Sequence, residues 1–215
     1  GERLSGLLPF PALKLAAAAV LLSPYLPMLF MGEEYGEPRP FLYFISHGDP
    51  ALIEGVREGR KQEFAAFHAE GEAPDPQSEV TFEDSKLQWD LGKTGRHGQL
   101  RAFYRELLRL RRELPALARL DNASLTATVI VPTVLELRRW CDDNRVVVWM
   151  NFAAEPATVT VAPGAGPWNR QLDAADPAWG GDGSTLPAQL TDGTAPNPLV
   201  LPPYAVAVYA AGVSA

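Results

Sequence analysis

Residues 23–36 read SPYLPMLFMGEEYG. Pro24 and Pro27 end any helix that enters them. Met28-Leu29-Phe30-Met31 is then an apolar run without polar alternation, closed by Gly32. A run that short and uninterrupted fits a strand buried on both faces, as in a parallel sheet. Just upstream, Pro9 to Leu22 is rich in alanine and leucine, the best helix formers. Helix, short buried strand and long loop are the grammar of an α/β barrel or a doubly wound sheet.

Working outward, a second helix is expected over Asp49 to Phe67, with Asp49 as N-cap and Pro50 as its first residue. Leu52, Val56, Phe64 and Phe67 would face inward, and the charged stretch Arg57 to Glu63 would face water. Residues 69–80 (AEGEAPDPQSEV) carry Pro, Gly and acid, and read as loop. A third helix spans about Gly98 to Leu114, with Leu100, Phe103, Tyr104, Leu107, Leu108 and Leu110 on its apolar face. Arg101, Arg105, Arg109, Arg111 and Arg112 would face out, with Glu106 and Glu113 as partners. Beyond Pro115 the rhythm changes to two. Ser124–Val131, Val134–Trp140, Arg145–Phe152, Ala157–Val161 and Ala205–Tyr209 read as short strands, with Asp142-Asp143-Asn144 as one of the turns. Such a run of strands predicts an antiparallel β-sandwich, so a boundary is expected near residue 118.

Composition narrows the chemistry. Of 215 residues, 19 are basic and 26 acidic, a net charge of −7. A nucleic-acid binder would want a basic face, so that class is disfavoured. Twenty prolines and 18 glycines imply many turns. The lone Cys141 rules out an intrachain disulfide framework, and three histidines make a Cys/His zinc site a poor fit. A reducing cytoplasm suits this usage. The apolar stretch Leu13 to Leu22 is interrupted by Lys14 and is too short for a membrane span of roughly 20 residues. The first residue is not methionine, and the text reads as part of a longer protein.

Candidate site residues cluster after the presumed strand. Glu33 and Glu34 would stand at its C-terminal end, where barrel enzymes carry their function. A carboxylate there can accept hydrogen bonds from sugar hydroxyls or act as acid or base; alternatively it pairs with Arg39 and holds the loop. Tyr35, Phe41, Tyr43 and Phe44 offer either sugar-stacking platforms or a hydrophobic plug, the plug being favoured for at least two of them. His47 with Asp49 reads as a hydrogen-bonded histidine beside a helix cap. His68 and His97 carry no signal. The acidic loop with Glu70, Glu72, Asp75 and Glu79 lacks the spacing of a calcium loop. There is no Gly-rich phosphate cradle and no GxSxG elbow. No metal or cofactor is expected, and no complete active site is legible.

Residues 23–64, SPYLPMLFMGEEYGEPRPFLYFISHGDPALIEGVREGRKQEF, resemble the last barrel strand and following loop of the maltooligosyltrehalose trehalohydrolases, in the α-amylase superfamily (glycoside hydrolase family 13). PDPQSEVTFEDSKLQWD and HGQLRAFYRELLRLRRELPAL resemble the same family, and the likeness covers about residues 1–120. It implies that residues 1–117 are the last strand, loops and helices of a (β/α)₈ catalytic barrel, and that 118–215 form the superfamily's C-terminal sandwich. It implies a maltooligosaccharide-type substrate whose α-1,4 bond to trehalose is hydrolysed, with Glu33, Glu34 and Tyr35 as substrate-binding candidates. The superfamily's aspartate nucleophile, glutamate acid/base and second aspartate lie on earlier strands, and no residue here matches them. The missing N-terminal barrel portion is therefore an expected partner, and the chain alone is expected to be inactive. The alternatives are a branching or debranching enzyme, or a non-catalytic carbohydrate-binding unit. A barrel edge left unpaired also predicts that residues 1–117 are less stable than the sandwich.

Overall fold

A computed structural model describes residues 1–66, 73–191 and 194–212. The helices are α1 (Leu4–Leu7), α2 (Phe10–Leu21), α3 (Pro50–Ala66), α4 (Glu79–Asp84), α5 (Gly95–Glu113) and α6 (Pro115–Ala118). The strands are β1 (Leu125–Val131), β2 (Val134–Cys141), β3 (Asn144–Asn151), β4 (Ala157–Val161), β5 (Trp168–Asp173), β6 (Gln189–Leu190), β7 (Asn197–Leu201) and β8 (Val206–Ala211). Three of the helices match the expected ones within a few residues. Asp49 caps α3: its Oδ1 accepts from the Ala51 amide at 2.8 Å and the Leu52 amide at 3.4 Å.

All the strand pairs are antiparallel. Six strands form one sheet in the order β1-β2-β3-β8-β5-β6, and β4 pairs with β7 in a second. The sandwich core lies between them. Val147 and Trp149 of β3 and Tyr209 of β8 meet Val159, Val161, Leu199 and Leu201 there. The opposite face of the larger sheet is covered as well. Val146, Val148 and Met150, with Val206, Val208 and Ala210, pack against Leu15, Ala18 and Leu21 of α2, Phe103, Leu107 and Leu110 of α5, and Leu117 of α6. The molecule is thus three layers, helices on sheet on sheet. The expected boundary at residue 118 separates two kinds of secondary structure, but one apolar core runs across it.

Two arginines, Arg139 buried and Arg111 half-buried, seal that junction. Arg139 Nη1 donates to the carbonyls of Leu22, Ser23 and Leu117 at 3.1–3.3 Å, and Nη2 donates to Arg119. Arg111 donates to Leu21, Ser23 and Tyr25 at 2.6–2.7 Å. Carbonyls at the ends of α2 and α6, which lack intrahelical donors, are satisfied this way. Arg111 therefore turns inward, contrary to the expectation for the arginine face of α5. Arg109 does pair outward with Glu106 and Glu113.

Three further expectations are corrected. Met28–Met31 is not a strand, and its side chains are exposed, Met28 at 90%. A parallel strand needs ladder partners and two covered faces, and among the described residues neither is supplied. Helix α3 buries none of its residues, so its apolar positions form no core; Phe67, His68, Glu70 and Glu72 lie outside the described residues. Finally, α4 occupies part of the expected loop region, because Ser78 opens a short turn and Thr81 Oγ1 bonds back to the Asp75 carbonyl at 2.7 Å.

Candidate functional site

The chain leaves Met31 through two glycines with left-handed backbones, Gly32 at φ 85° and Gly36 at φ 71°. That conformation suits glycine, and space demands it too. A Cβ on Gly32 would stand 2.8 Å from Glu37 Cβ. Between the glycines, Glu33–Tyr35 form a single 3-10 turn. The Glu37 amide closes it by donating to the Gly32 carbonyl at 2.9 Å.

Glu33 is half-buried. Its Oε2 accepts from the Phe30 amide at 2.9 Å, and its Oε1 accepts from the Tyr104 hydroxyl of α5 at 3.2 Å. Burial, and then the neighbouring Glu33 charge, push the Tyr104 phenol well above its ordinary value, so it stays a donor. Glu34 is also half-buried and makes no hydrogen bond among the described residues. Neither glutamate pairs with Arg39, whose guanidinium reaches the Glu83 and Lys86 carbonyls.

Tyr35 points the other way. It is 2% exposed, its hydroxyl donates to Glu37 Oε2 at 2.9 Å, and its carbonyl lies 2.8 Å from His97 Nδ1. A side chain enclosed like this offers no open ring face, so Tyr35 is a floor of the turn and not a stacking platform. Phe41 and Phe44 join Phe30 and Phe82 in a chain of edge-to-face contacts at 5.1–5.9 Å, which is the plug. Tyr43 is exposed beneath the Arg60 guanidinium.

Sequence reading missed the central residue. Glu37 is fully buried and accepts from three donors: the Tyr35 hydroxyl, the Arg39 amide at 3.0 Å and the Gln88 amide at 2.6 Å. Burial alone would raise its carboxyl. The two amides, the hydroxyl and the nearby Arg3 charge outweigh it and hold the group below the usual carboxylate range. Arg3 was missed as well. It is buried, donates to the Met31 and Arg39 carbonyls, and lies 5.2 Å over the Phe30 ring. The only sequence signal was an arginine beside an apolar helix.

These residues border a cleft of about 290 Å³ between α2, the first residues and the turn. Arg3, Glu33 and Tyr104 belong to its polar wall, with the fully buried Glu37 adjoining them, and Leu13 and Phe30 belong to its apolar wall. Such a mixed wall can bind a polar organic ligand. Among the described residues no group of His, Cys, Asp and Glu could hold a metal ion. His47 is fixed through its backbone, which exchanges hydrogen bonds with the Gln77 side chain. Asp75 forms a two-pronged bond with Arg57 at 2.8–2.9 Å.

The class of fold follows from a solved structure. A Salmonella typhimurium protein provisionally described as an alpha amylase superposes with a TM-score of 0.71 at 32% identity. The match covers 98% of this chain and 32% of that one. Residues 140–209 match the family described as D-apionate lactonase, C-terminal immunoglobulin-like domain. The fold is therefore similar to part of an α-amylase-type structure, with an immunoglobulin-like C-terminal unit.

Within that class the relatives share one name. Seven curated proteins called malto-oligosyltrehalose trehalohydrolase match at 39–49% identity. The Rhizobium sp. (strain M-11) protein is 43% identical over 160 residues, 74% of this chain and 26% of its own length. The Saccharolobus solfataricus protein is 49% identical over 113 residues, 53% of this chain and 18% of its own. This chain is a homologue of the malto-oligosyltrehalose trehalohydrolases over half to three quarters of its length, and spans about a quarter or less of theirs.

Proposed function

We propose that this chain is the C-terminal portion of a glycoside hydrolase that cleaves the α-1,4 bond joining trehalose to a maltooligosaccharide. Its identity to seven proteins of that name carries the reading. Residues 1–117 would complete a (β/α)₈ barrel and 118–215 would form its sandwich. The exposed run Met28–Met31 supports this, since an apolar segment without ladder partners suits a strand that meets its neighbours in the longer protein. Glu33 and Glu34 would meet substrate or its neighbours at the strand end, with Tyr35 beneath them. The protein would work in the cytoplasm, in trehalose biosynthesis. Among the described residues no helix is long and apolar enough to cross a membrane.

The full-length protein should release free trehalose from maltooligosyltrehalose, and residues 1–215 alone should release none. Failure of the full-length protein would overturn the reading. Turnover by the purified chain, free of host enzyme, would show that chemistry resides in this segment after all.

A further inference from the structure

Glu37 has no part in the function proposed above, yet it is the most heavily bonded carboxylate near the cleft. Its three donors come from separate points of the chain: Tyr35 within the turn, Arg39 just after it, and Gln88 fifty-one residues on. Its own carbonyl accepts from Ser5 Oγ at 2.6 Å, tying in the first residues. Arg3 bridges the two ends of the same loop through the Met31 and Arg39 carbonyls, and its buried Nη2 has no hydrogen-bond partner among the described residues.

We propose that Glu37 is a positioning residue. It fixes the Gly32–Gly36 turn and so sets where the Glu33 carboxylate stands, without itself touching substrate. The kinetic part of this inference rests on the glycosidase reading; the structural part does not.

The donor arrangement makes the role specific to a carboxylate. Oε1 faces the Arg39 amide, and Oε2 faces the Gln88 amide and the Tyr35 hydroxyl. Glutamine in this place would set its NH₂ against one backbone N–H whichever way it turned. A hydroxyl can rotate away from such a clash, but a backbone amide cannot. The turn must then shift, and the bonds that locate Glu33 shift with it. Those bonds are the Phe30 amide and the Tyr104 hydroxyl on its carboxylate, and its own amide on the Phe30 carbonyl at 3.0 Å.

The test is a double-mutant cycle in the full-length protein. Glu33→Gln and Glu37→Gln should each lower kcat/KM by tenfold or more. The double variant should fall within about threefold of the worse single one, because both changes act through one carboxylate. Losses that multiply would make Glu37 a mere fold determinant and overturn the proposal. If Glu37→Gln does not fold, Tyr35→Phe takes its place in the cycle. It removes one donor and leaves both backbone amides satisfied, so it should cost less than tenfold, with the same non-additivity. A substrate-free readout runs in parallel. In Glu37→Gln, or in Tyr35→Phe where that variant stands in, the Phe30, Glu33 and Gly36 amides should exchange hydrogen faster while those of α5 do not change. If the wild-type protein releases no trehalose, the functional reading alone falls, and unchanged exchange at those amides would still overturn the role of Glu37.

Discussion

Lys14 is a cation placed where charge is costly. It sits in α2 at 2% exposure, with Nζ donating to the Ala174 and Trp179 carbonyls and lying 5.3 Å over the Phe10 ring. Burial pulls its pKa down to about 8, against the opposing pull of Asp173 and Asp182. Below pH 8 the lysine is protonated both folded and unfolded. Between about 8 and 10.5 the folded state sheds its proton first, the unfolded state binds more protons, and stability rises with pH. A displacement of that size corresponds to about 3 kcal/mol across the window. Urea unfolding of wild type and Lys14→Met at pH 7.5, 9 and 10 checks it: wild type should gain on the variant as pH rises. A constant difference would mean that the site already accommodates the charge. Comparing the two cancels Tyr35, Tyr104 and Tyr209, whose raised phenol pKa values work the other way above pH 10. Glu33 carries the second prediction at this scale. Buried hydrogen bonds to a charged group contribute on the order of 1.5–3 kcal/mol, so Glu33→Gln should lower kcat/KM of the full-length protein by roughly tenfold to a hundredfold. A loss of about five decades would mark it as a chemical participant. Single residues were the least legible scale. Glu33 and Glu34 stand out because they follow an apolar run and a glycine. Glu37 and Arg3 do not, since their role depends on partners brought together by folding: a donor amide from Gln88 in one case, and acceptor carbonyls at both ends of a loop in the other.

Elements were easier to read where one local rule governs them. Asp49-Pro50 announces α3 because a cap and a pre-set φ act within one turn. The hairpin from β2 to β3 is equally plain, with Asp142 at a φ of 50° between Cys141 and Asn144. β5, β6 and β7 were missed: β5 carries Asn169, Arg170 and Gln171 in its middle, β6 is only two residues long, and β7 holds a proline at its edge. β3 held a clue left unused. Val146 to Met150 is buried at every position, which breaks the alternation of a one-faced strand and means cover on both sides. Met28–Met31 gives the same signal but finds no cover among the described residues. Helix ends depend on tertiary partners, and Arg139 shows how strongly. Arg139→Ala would remove a donor from four carbonyls; Ser23 keeps its bond from Arg111, while Leu22, Leu117 and Arg119, at the ends of α2 and α6, lose theirs. At about 1–3 kcal/mol for each buried group left unsatisfied, stability should fall by about 3 kcal/mol or more. Arg139→Lys cannot span all four and should recover less than half of that. Denaturant midpoints at constant m-value measure both. A loss under about 1 kcal/mol for Arg139→Ala would show that water replaces the guanidinium at that junction.

At the scale of the whole molecule, the core and the change in secondary structure do not share a boundary. The sequence predicts weak residues 1–117 on a robust sandwich, with the division at 118. The packing divides the molecule elsewhere. α2, α5 and α6 bury their apolar faces on the same sheet surface that β3 and β8 present, whereas residues 24–31 are mostly exposed and α3 buries nothing. Local stability follows buried apolar contact. Amides of Ala18 and Leu107 should therefore exchange as slowly as those of Val148 and Val208, within about 1 kcal/mol of opening free energy. Amides in residues 50–66 should open several kcal/mol more easily. The same packing makes a sharper prediction for residues 118–215 expressed alone. Removing the helices uncovers Val146, Val148, Met150, Val206, Val208 and Ala210 together. Full burial of a large apolar side chain contributes about 1.5–3 kcal/mol, so losing even half of it at the five larger residues takes at least about 4 kcal/mol. A small domain has only about 5–15 kcal/mol in total. The isolated segment should then unfold with a far lower denaturant midpoint than the whole chain, or self-associate through the uncovered face. A monomeric 118–215 with the midpoint of the intact chain would mean that the helices only decorate the sheet, and that the division at 118 marks a true folding unit.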